Sequence, residues 1–140
     1  MIWKPPRSPH NLIQEDLWPD AWRMLIACLM LNLTTRKQVD GVIYEFFKMC
    51  PTAELCASKD PAELESLLRP LGMQFKRSKT LVRFSQEYLK GWNDIGDLHG
   101  VGKYARDSHL IFSEGRYTDV VPHDHALVDY WKWLNANHSH

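Results

Sequence analysis

The apolar residues of this chain recur at the spacing of α-helices, and this periodicity is the strongest constraint on the fold. Residues 21–33, AWRMLIACLMLNL, are apolar nearly all the way round. Such a segment is typical of a helix buried at the centre of a domain. From about residue 36 to residue 50, apolar side chains stand at positions i, i+3, i+4, i+7, i+8 and i+11, namely Val39, Val42, Ile43, Phe46, Phe47 and Cys50. This second segment is predicted to be one amphipathic helix.

Helix start and stop signals elsewhere complete an all-α prediction. Asp60 followed by Pro61 is typical of an N-cap with proline at the first helical position, opening a helix to about Leu68. Further helices are expected after Thr52 and over about residues 75–89, 103–112 and 125–134. Only residues 117–121 have the composition of a strand. We expect one domain of short helices, seven to ten of them, preceded by an extended arm over residues 1–10.

The composition indicates a folded protein without a disulfide framework. The chain has 140 residues, 44% of them hydrophobic and six of them Trp, enough for a real core. Its three cysteines, Cys28, Cys50 and Cys56, form no Cys-x-x-Cys pair, so we expect free thiols in a reducing compartment. The proline-rich start does not resemble a signal peptide, and the longest apolar stretch is too short to span a bilayer. An intracellular location away from membranes is expected.

The most specific local motif consists of Leu98, His99, Gly100, Val101, Gly102 and Lys103. Two glycines one residue apart permit a tight turn with positive φ and close approach of the backbone to a ligand. A helix is expected to begin directly after them, so its unpaired N–H groups and the Lys103 ammonium would face an anion. A bare Gly-x-Gly is more often an ordinary turn. With a helix before it, Leu98 at the hinge and Ala105 inside, the pattern is a helix-hairpin-helix motif, which grips the DNA backbone without reading bases.

The formal net charge is zero, so the distribution of charge is more informative than its total. Residues 69–92 carry one acid, Glu87, against six basic side chains: Arg69, Lys76, Arg77, Lys79, Arg83 and Lys90. A charge run of this kind is usually a solvated helix face. Because this one immediately precedes the hairpin, we interpret it as part of a DNA footprint that includes Lys76 and Arg77.

The chain resembles the helix-hairpin-helix DNA glycosylase superfamily, whose members place an aspartate after the hairpin at the spacing that separates Gly102 from Asp124 here. Within the superfamily it is most similar to the catalytic domain of the methyl-CpG-binding-domain mismatch-specific thymine/uracil DNA glycosylases. The segments that carry the similarity are PPRSPHNLIQE, LNLTTRK, LLRPLGM, RSKTLVRFSQEYL, LHGVGKYARDS and VVPHDHAL. The resemblance implies two helical lobes with the DNA and base cleft between them. One lobe would hold the chain ends, about residues 1–20 and 103–140, and the other a helical barrel of about residues 21–102.

The resemblance assigns two residues to catalysis. Asp124 occupies the catalytic aspartate position, where a carboxylate stabilises positive charge on the sugar and orients or deprotonates the attacking water. Asp124 also suits an N-cap, and the roles are compatible because a helix N-terminus favours the ionised carboxylate. Members that also cut the strand carry a Lys second after the last hairpin glycine, to form a Schiff base. Tyr104 stands there, with Lys103 one residue earlier. This implies a monofunctional glycosylase, with Tyr104 lining the base pocket near Asp124.

Two further residues are assigned to the DNA. The flipped base needs a pocket with donors for its carbonyl edge, and Gln14, in the LIQE segment, matches the family's pocket glutamine. Met73 lies where the family inserts a hydrophobic wedge into the duplex. Without the resemblance, Gln14 would be an exposed polar residue at a helix start, and Met73 a core methionine.

Two positions depart from the family pattern and remove positive charge from the DNA face. The family's Asn-Arg-Thr stretch, whose arginine enters the duplex beside the flipped nucleotide, reads Asn32-Leu33-Thr34 here. Leu33 is therefore expected at the base pocket, and Arg36, a little further on, either substitutes for the arginine or faces solvent. Ala126 stands where the family has a lysine. These changes bear on the affinity for DNA and on the opposite base required.

No metal or other cofactor is expected. Four histidines lie near Asp124 or end the chain, namely His123, His125, His138 and His140. They include no His-x-x-x-His pair on a helix. Iron–sulfur members of the superfamily need a cysteine quartet after the aspartate, and no Cys follows Cys56.

These inferences predict a monomeric, monofunctional glycosylase that flips thymine, uracil or a 5-substituted uracil out of mispairs with guanine in double-stranded DNA. It would work in the nucleus of a eukaryote, or in the cytoplasm or nucleoid of a prokaryote. Adenine removal from oxidised mispairs is a second hypothesis, since those relatives also lack the lysine, although they carry the cysteine quartet and an extra domain. A third is a non-catalytic DNA-binding module, which Leu33 and Ala126 favour and Asp124 with Tyr104 oppose.

Overall fold

The computed structural model describes residues 2–138, and these fold into short helices with no strand among them. The all-α prediction is confirmed. The α-helices in this range are α1 (Ile13–Leu17), α2 (Ala21–Leu31), α3 (Arg36–Asp40), α4 (Ile43–Met49), α5 (Ala53–Ala57), α6 (Glu65–Leu68), α7 (Gln74–Leu89), α8 (Lys103–Ser108) and α9 (His125–Asn137). Turns of 3₁₀-helix occupy Pro61–Leu64, Arg69–Leu71, Ile95–Asp97 and Tyr117–Asp119, and a π-helical turn, His109–Ser113, continues α8. No helix in the described range is long and apolar enough to cross a membrane.

Helix α2 is the central element, as its sequence predicts. The Asp20 side chain caps it by accepting a hydrogen bond from Arg23 N at 3.0 Å. Eight of its eleven residues are buried, and it packs against α1, α7 and α8. The buried hydrophobic side chains, from Leu12 to Leu134, form one cluster around it.

Residues 36–50 form two helices, so the prediction of a single helix there is wrong. Helix α3 ends at Asp40 with Gly41 as its C-cap, and α4 begins after Val42, whose φ of −127° is not helical. Glycine at this point costs helix stability because it loses the most backbone entropy. The apolar spacing continues across the break because both short helices turn their apolar side toward the same core, as the burial of Val39 and Ile43 shows.

Residues 117–121 have the composition of a strand but do not form one, in keeping with the all-α prediction. Tyr117 begins a 3₁₀ turn and is buried, stacked on Trp3 with ring centroids 5.5 Å apart. Its carbonyl oxygen accepts a hydrogen bond from Trp131 Nε1 at 2.8 Å. A strand needs a neighbouring strand to share its ladder of hydrogen bonds, whereas helices surround this segment.

The two ends of the chain pack together. The buried Glu15 carboxylate holds the N-terminal arm by accepting hydrogen bonds from Ser8 N at 2.6 Å, Ser8 Oγ at 2.9 Å and Leu12 N at 2.8 Å. From α9, the Tyr130 hydroxyl donates to Pro6 O at 2.7 Å. The arm contains no helix over residues 2–10, and these contacts fix it against the domain.

Candidate active site and DNA-facing surface

Asp124 is the exposed N-cap of α9. Its Oδ2 accepts a hydrogen bond from Leu127 N at 3.0 Å, which confirms the predicted cap. Among the described residues no other donor reaches the carboxylate. Oδ1 is therefore available to a substrate or to a water molecule.

A cavity of about 490 Å³ borders Asp124 and has the size of a small-molecule site. It is the meeting point of α1, the segment after α2, and the starts of α8 and α9. The residues around it that the sequence singles out are Gln14, Leu33, Arg36, Tyr104, Asp124 and Ala126. The fold thus brings these six positions, from four separate parts of the sequence, to one site.

Gln14 is buried, with 1% of its surface exposed. Its Nε2 donates to the Tyr104 hydroxyl at 2.8 Å and to Ser108 Oγ at 3.1 Å. Both amide protons are therefore used within the protein. The carbonyl Oε1 has no donor among the described residues, so the group that Gln14 offers a ligand is an acceptor, and not the donor to the carbonyl edge of the base that is expected from the sequence. The expectation of an exposed polar residue at a helix start does not describe this side chain.

Tyr104 keeps its proton at neutral pH. Burial raises the pKa of its phenol well above the usual range, and the negative charges of the Cys28 thiolate and of Asp124 would raise it further. Burial likewise raises the pKa of the Cys28 thiol, to about 12. The floor of the cavity is therefore a network of neutral hydrogen-bonding groups, with the Asp124 carboxylate at its edge.

Leu33 and Arg36 take different positions at this cavity. Leu33 is 80% exposed and has φ of +61°. The Arg36 guanidinium donates from Nε to Asp40 Oδ1 at 2.8 Å and from Nη1 to Asn11 O at 2.8 Å, and Nη2 lies 3.4 Å from Asp16 Oδ2. Arg36 is therefore bound to protein acceptors that tie α3 to the turn before α1.

The two hairpin glycines serve different purposes. Gly100 has φ of +83°, and a Cβ there would lie 2.7 Å from Thr80 Cγ2 and 3.4 Å from Leu29 Cδ2, so a side chain would be both strained and crowded. Gly102 has φ of −101°, and no atom lies within 4 Å of its Cβ position. The expected positive φ is thus wrong for Gly102, whose contribution is an open face at the start of α8.

The hairpin is fastened to the domain on both sides of its turn. Val101 is half-buried against the core, and its N–H donates to Leu98 O at 3.1 Å. His99 N donates to Glu87 Oε1 at 2.9 Å, and this bond lowers the pKa of the Glu87 carboxyl. The helix that precedes the turn is a single 3₁₀ turn, Ile95–Asp97, rather than a longer helix.

The Lys103 ammonium is held on the protein. Its Nζ forms an ion pair with Asp107 Oδ2 at 2.8 Å, without the geometry of a hydrogen bond, and donates to Val121 O at 3.0 Å. Asp107 is 2% exposed, and a buried carboxylate is costly unless a group of opposite charge lies beside it. Lys103 does not border the cavity at Asp124.

A second cavity, of about 440 Å³, lies beside the hairpin between α2, α7 and α8. Asn32 and Tyr104 border both cavities, so the two are adjacent. The residues of the predicted DNA footprint that line it are Met73, Lys76, Arg77, His99, Gly100, Gly102 and Lys103. The predicted footprint therefore lies next to the candidate base pocket.

The basic run differs from a uniform DNA-facing stripe. Lys76 and Lys79 are exposed, whereas Arg83 donates to Glu87 Oε2 at 2.9 Å. Arg77 departs furthest from the expectation of a solvated cation, because only 8% of its surface is exposed. Burial lowers the pKa of its guanidinium.

No group of three or more His, Cys, Asp or Glu side chains within residues 2–138 is arranged to hold a metal. His123 and His125 are exposed beside Asp124, while His138 packs edge-on against Trp3. His140 lies outside the described residues. The three cysteines are buried free thiols.

Sequence reasoning missed several residues that shape this site. Ser108 holds Gln14, and its position four residues after Tyr104 on α8 places both on one helix face, a signal that was available in the sequence. Glu15 and Asp107 are buried acids whose partners, Ser8 and Lys103, could be identified only from the fold.

Comparison with known proteins agrees with the resemblance to DNA glycosylases, although no family model matches the chain. It is 46% identical over 137 residues to a Methyl-CpG-binding domain protein 4-like protein of Arabidopsis thaliana, covering 97% of the chain and 31% of the relative. It is 31% identical over 105 residues to a Thymine/uracil-DNA glycosylase of Pyrobaculum aerophilum, covering 69% and 46%. It is 30% identical over 104 residues to a Thymine-DNA glycosylase of Aeropyrum pernix, covering 69% and 47%. The chain thus spans less than half the length of each.

The solved structure of a thermostable thymine-DNA glycosylase superposes with a TM-score of 0.65 at 23% identity, covering 70% of this chain and 49% of that one. The architecture is therefore the helix-hairpin-helix glycosylase fold. The sequence relatives, which include a methyl-CpG-binding domain protein 4-like protein and thymine/uracil-DNA glycosylases, give the family: the chain belongs to the helix-hairpin-helix DNA glycosylase superfamily.

Proposed function

We propose that this domain is a monofunctional DNA glycosylase that hydrolyses the N-glycosidic bond of thymine, uracil or a 5-substituted uracil mispaired with guanine. The observation that carries the proposal is the cavity shared by Asp124, Tyr104 and Gln14. Thymine and uracil are named in the relatives from Pyrobaculum aerophilum and Aeropyrum pernix. The domain would excise bases from genomic DNA, in the nucleus of a eukaryote or the nucleoid of a prokaryote.

The hydrogen-bonding groups of the cavity suit a flipped thymine or uracil. Each of these bases carries an N3–H donor, and Gln14 Oε1 is a free acceptor because Gln14 Nε2 is bonded to Tyr104 and Ser108. Cytosine has no proton at N3, so its N3 and Gln14 Oε1 would face each other as two acceptors without a donor between them. A buried group left unpaired in this way is costly, and this cost would exclude the normal partner of guanine.

Asp124 would act on the sugar. As the bond from C1′ to the base nitrogen breaks, its electron pair leaves with the base and positive charge develops on the sugar. Oδ1 of Asp124 faces that charge and accepts a proton from the water that forms the new C1′–O bond. The cap from Leu127 N to Oδ2 keeps the carboxylate in place. No step requires a cofactor.

The absence of a strand-cutting step is supported by the placement of amines. A lyase step needs an amine at C1′ to form a Schiff base. Among the described residues no lysine borders the Asp124 cavity, and Lys103 Nζ is held by Asp107 beside the other cavity. Tyr104 occupies the position where an amine would stand.

The domain would grip double-stranded DNA as a monomer across a cleft between two lobes. The chain ends, about residues 1–20 and 103–140, would supply Asp124, Tyr104 and Gln14. A barrel lobe of about residues 21–102 would supply Met73 and Lys76. A mispaired base costs little to extrude, which adds to selectivity.

The test is incubation of the protein with duplexes that contain G·T, G·U, A·U or 8-oxoguanine·A pairs, analysed with and without alkali. Strand cleavage only after alkali on G·T or G·U is expected. Breaks without alkali would overturn the monofunctional assignment, adenine release would favour the oxidised-mispair hypothesis, and no product on any duplex would favour a non-catalytic module. Asp124→Asn should lose excision and keep DNA binding. Asp129→Asn, on the same helix but outside the cavity, is the matched control.

A further inference from the structure

Two exposed apolar side chains on the DNA-facing surface have left-handed backbone conformations. Leu33 has φ of +61° and Met73 has φ of +51°, and they are 80% and 47% exposed. Left-handed backbone is unfavourable for residues other than glycine, and exposed apolar surface is unfavourable in water. Leu33 borders the Asp124 cavity and Met73 borders the adjacent one. The fold therefore maintains two unfavourable features on the same face.

One buried side chain links the two positions. Arg77 donates from Nε to Gly72 O at 2.8 Å and from Nη2 to Asn32 O at 2.8 Å. Those carbonyls belong to the residues immediately before Met73 and Leu33. Nη1 lies 3.4 Å from a third carbonyl oxygen, that of Met30.

The geometry of arginine explains how this fixes both turns. A guanidinium is a rigid planar fork, so carbonyl groups bonded to its Nε and Nη2 are held at a set distance and angle. A second hydrogen bond, from Gln38 Nε2 to Pro70 O at 3.3 Å, joins α3, which follows Leu33, to the 3₁₀ turn Arg69–Leu71, which precedes Met73. Because Arg77 is buried and its donors are directed at backbone oxygens, it is not placed to bind a DNA phosphate.

We propose that Arg77 is a positioning residue that sets the separation of Leu33 from Met73, so that Leu33 enters the duplex as a second apolar prong beside the wedge already expected at Met73. Apolar side chains inserted between bases unstack them and occupy the space that a flipped base leaves. When they insert between stacked bases, both apolar side chains are removed from water. The inference rests on the proposed glycosylase function, because it assigns these residues to base flipping.

The prongs are tested by fluorescence in the Asp124→Asn background, where no excision interferes. A duplex with 2-aminopurine next to a G·T pair brightens when the neighbouring base unstacks. Leu33→Ala and Met73→Ala should each reduce this signal. The factor by which the double variant reduces the fluorescence should be smaller than the product of the two single-variant factors, since the two side chains act as a unit. Leu55→Ala, an exposed leucine on α5 away from both cavities, should leave the signal unchanged.

Arg77 is tested by comparing excision of the same uracil from a paired G·U duplex and from an unpaired bubble. Lysine keeps the charge but cannot hold both carbonyls. Arg77→Lys should therefore slow single-turnover excision from the duplex roughly tenfold or more, with little change on the bubble. A merely structural role would lower both rates together. Arg23→Lys, which also loses a bond to a backbone carbonyl, at Pro51, is the control.

The outcomes separate this inference from the proposed function. If the unaltered chain excises nothing from any substrate, the proposed function fails, and the aminopurine signal still decides the role of the prongs. If it excises uracil but Leu33→Ala and Leu55→Ala give equal signals, the prongs are overturned. Equal losses on duplex and bubble in Arg77→Lys would overturn the positioning role. Should Arg77→Lys fail to fold, Arg77→Gln is compared on the same duplex and bubble, and equal losses would again overturn the positioning role.

Discussion

The carboxylate of Asp124 has two oxygens with different neighbours, and the difference separates its structural role from its proposed chemical role. Oδ2 accepts the cap hydrogen bond from Leu127 N, whereas Oδ1 has no donor among the described residues. Asparagine and serine both provide a cap oxygen without a carboxylate. Substitutions at this position can therefore remove the charge and the cap independently.

Asp124→Ala should lower the free energy of unfolding by about 1 kcal/mol, because it removes the cap of α9. Asp124→Asn and Asp124→Ser should change that free energy little, and all three variants should lose excision. Urea unfolding combined with the alkali-cleavage assay checks this. Retained excision in the serine variant would show that the cap, and not the charge, is what the reaction needs.

The buried thiol of Cys28 makes stability depend on alkaline pH. Its pKa is about 12 in the folded protein against an ordinary value of 9.0, so the unfolded chain loses this proton first. The contribution is constant below pH 9 and is lost as pH rises from about 9 towards 12, by up to roughly 1.4 kcal/mol per pH unit. Urea unfolding at pH 8 and pH 10 should show the fall, and Cys28→Ala should reduce it. An equal fall in both proteins would contradict the assignment.

The site residues differ in how far the sequence could identify them. Asp124, Tyr104 and Gln14 follow from the motif and the family resemblance, and the fold places them at one cavity. Arg77 was interpreted as part of a basic stripe because a charge run does not reveal which member turns inward. For Arg36 the sequence predicts a side chain that faces either the DNA or solvent. In the structure it donates a hydrogen bond to Asn11 O, a partner that the sequence does not reveal.

At the scale of elements, the hairpin combines one glycine required by packing with one that leaves a surface open. Gly100→Ala should cost about 1–3 kcal/mol, because its Cβ would meet Thr80 in a left-handed conformation. Gly102→Ala should change stability by less than about 0.5 kcal/mol, since no atom lies near its Cβ position.

The stability and the DNA binding of Gly102→Ala should respond differently to the substitution. Gly102→Ala should weaken binding to any duplex because its methyl group stands on the open face at the start of α8. Thermal unfolding and filter binding measure the two quantities. If Gly102→Ala binds with unchanged affinity, the backbone at this position does not approach the DNA.

Elements were easier to predict than their ends and breaks. The apolar spacing of residues 36–50 is compatible with one helix or with two that share a core face, and only the chain path at Gly41 decides between them. Residues 117–121 carry side chains that favour strands, but strand formation depends on a partner elsewhere in the chain. Helix α2 was predictable because an almost wholly apolar helix fits only at the centre.

At the scale of the whole molecule, one hydrophobic cluster extends from Leu12 to Leu134 and includes both proposed lobes. The domain should therefore unfold in one cooperative transition. Far-UV circular dichroism, which follows all helices, and tryptophan fluorescence should give the same midpoint. Separate midpoints would show that the lobes are independent domains.

DNA binding should depend on salt although the formal net charge is zero, because the exposed Lys76 beside the second cavity would displace counterions from the DNA phosphates. Lys76→Ala should weaken binding to all sequences and reduce the slope of log K against log salt by about 1. Lys48→Ala, an exposed lysine paired with Glu45 away from both cavities, is the control. An unchanged slope in Lys76→Ala would remove it from the footprint.

The link between Arg77 and the turns at Leu33 and Met73 also bears on the kinetics of damage search. A probe that is already rigid before contact loses little conformational entropy when it inserts. Each encounter with a base pair can then be brief, since no loop has to rearrange before the pair is tested. Discrimination between mispairs and correct pairs would depend on how easily the DNA deforms. Mispairs would open during the encounter, and correctly paired bases would stay stacked.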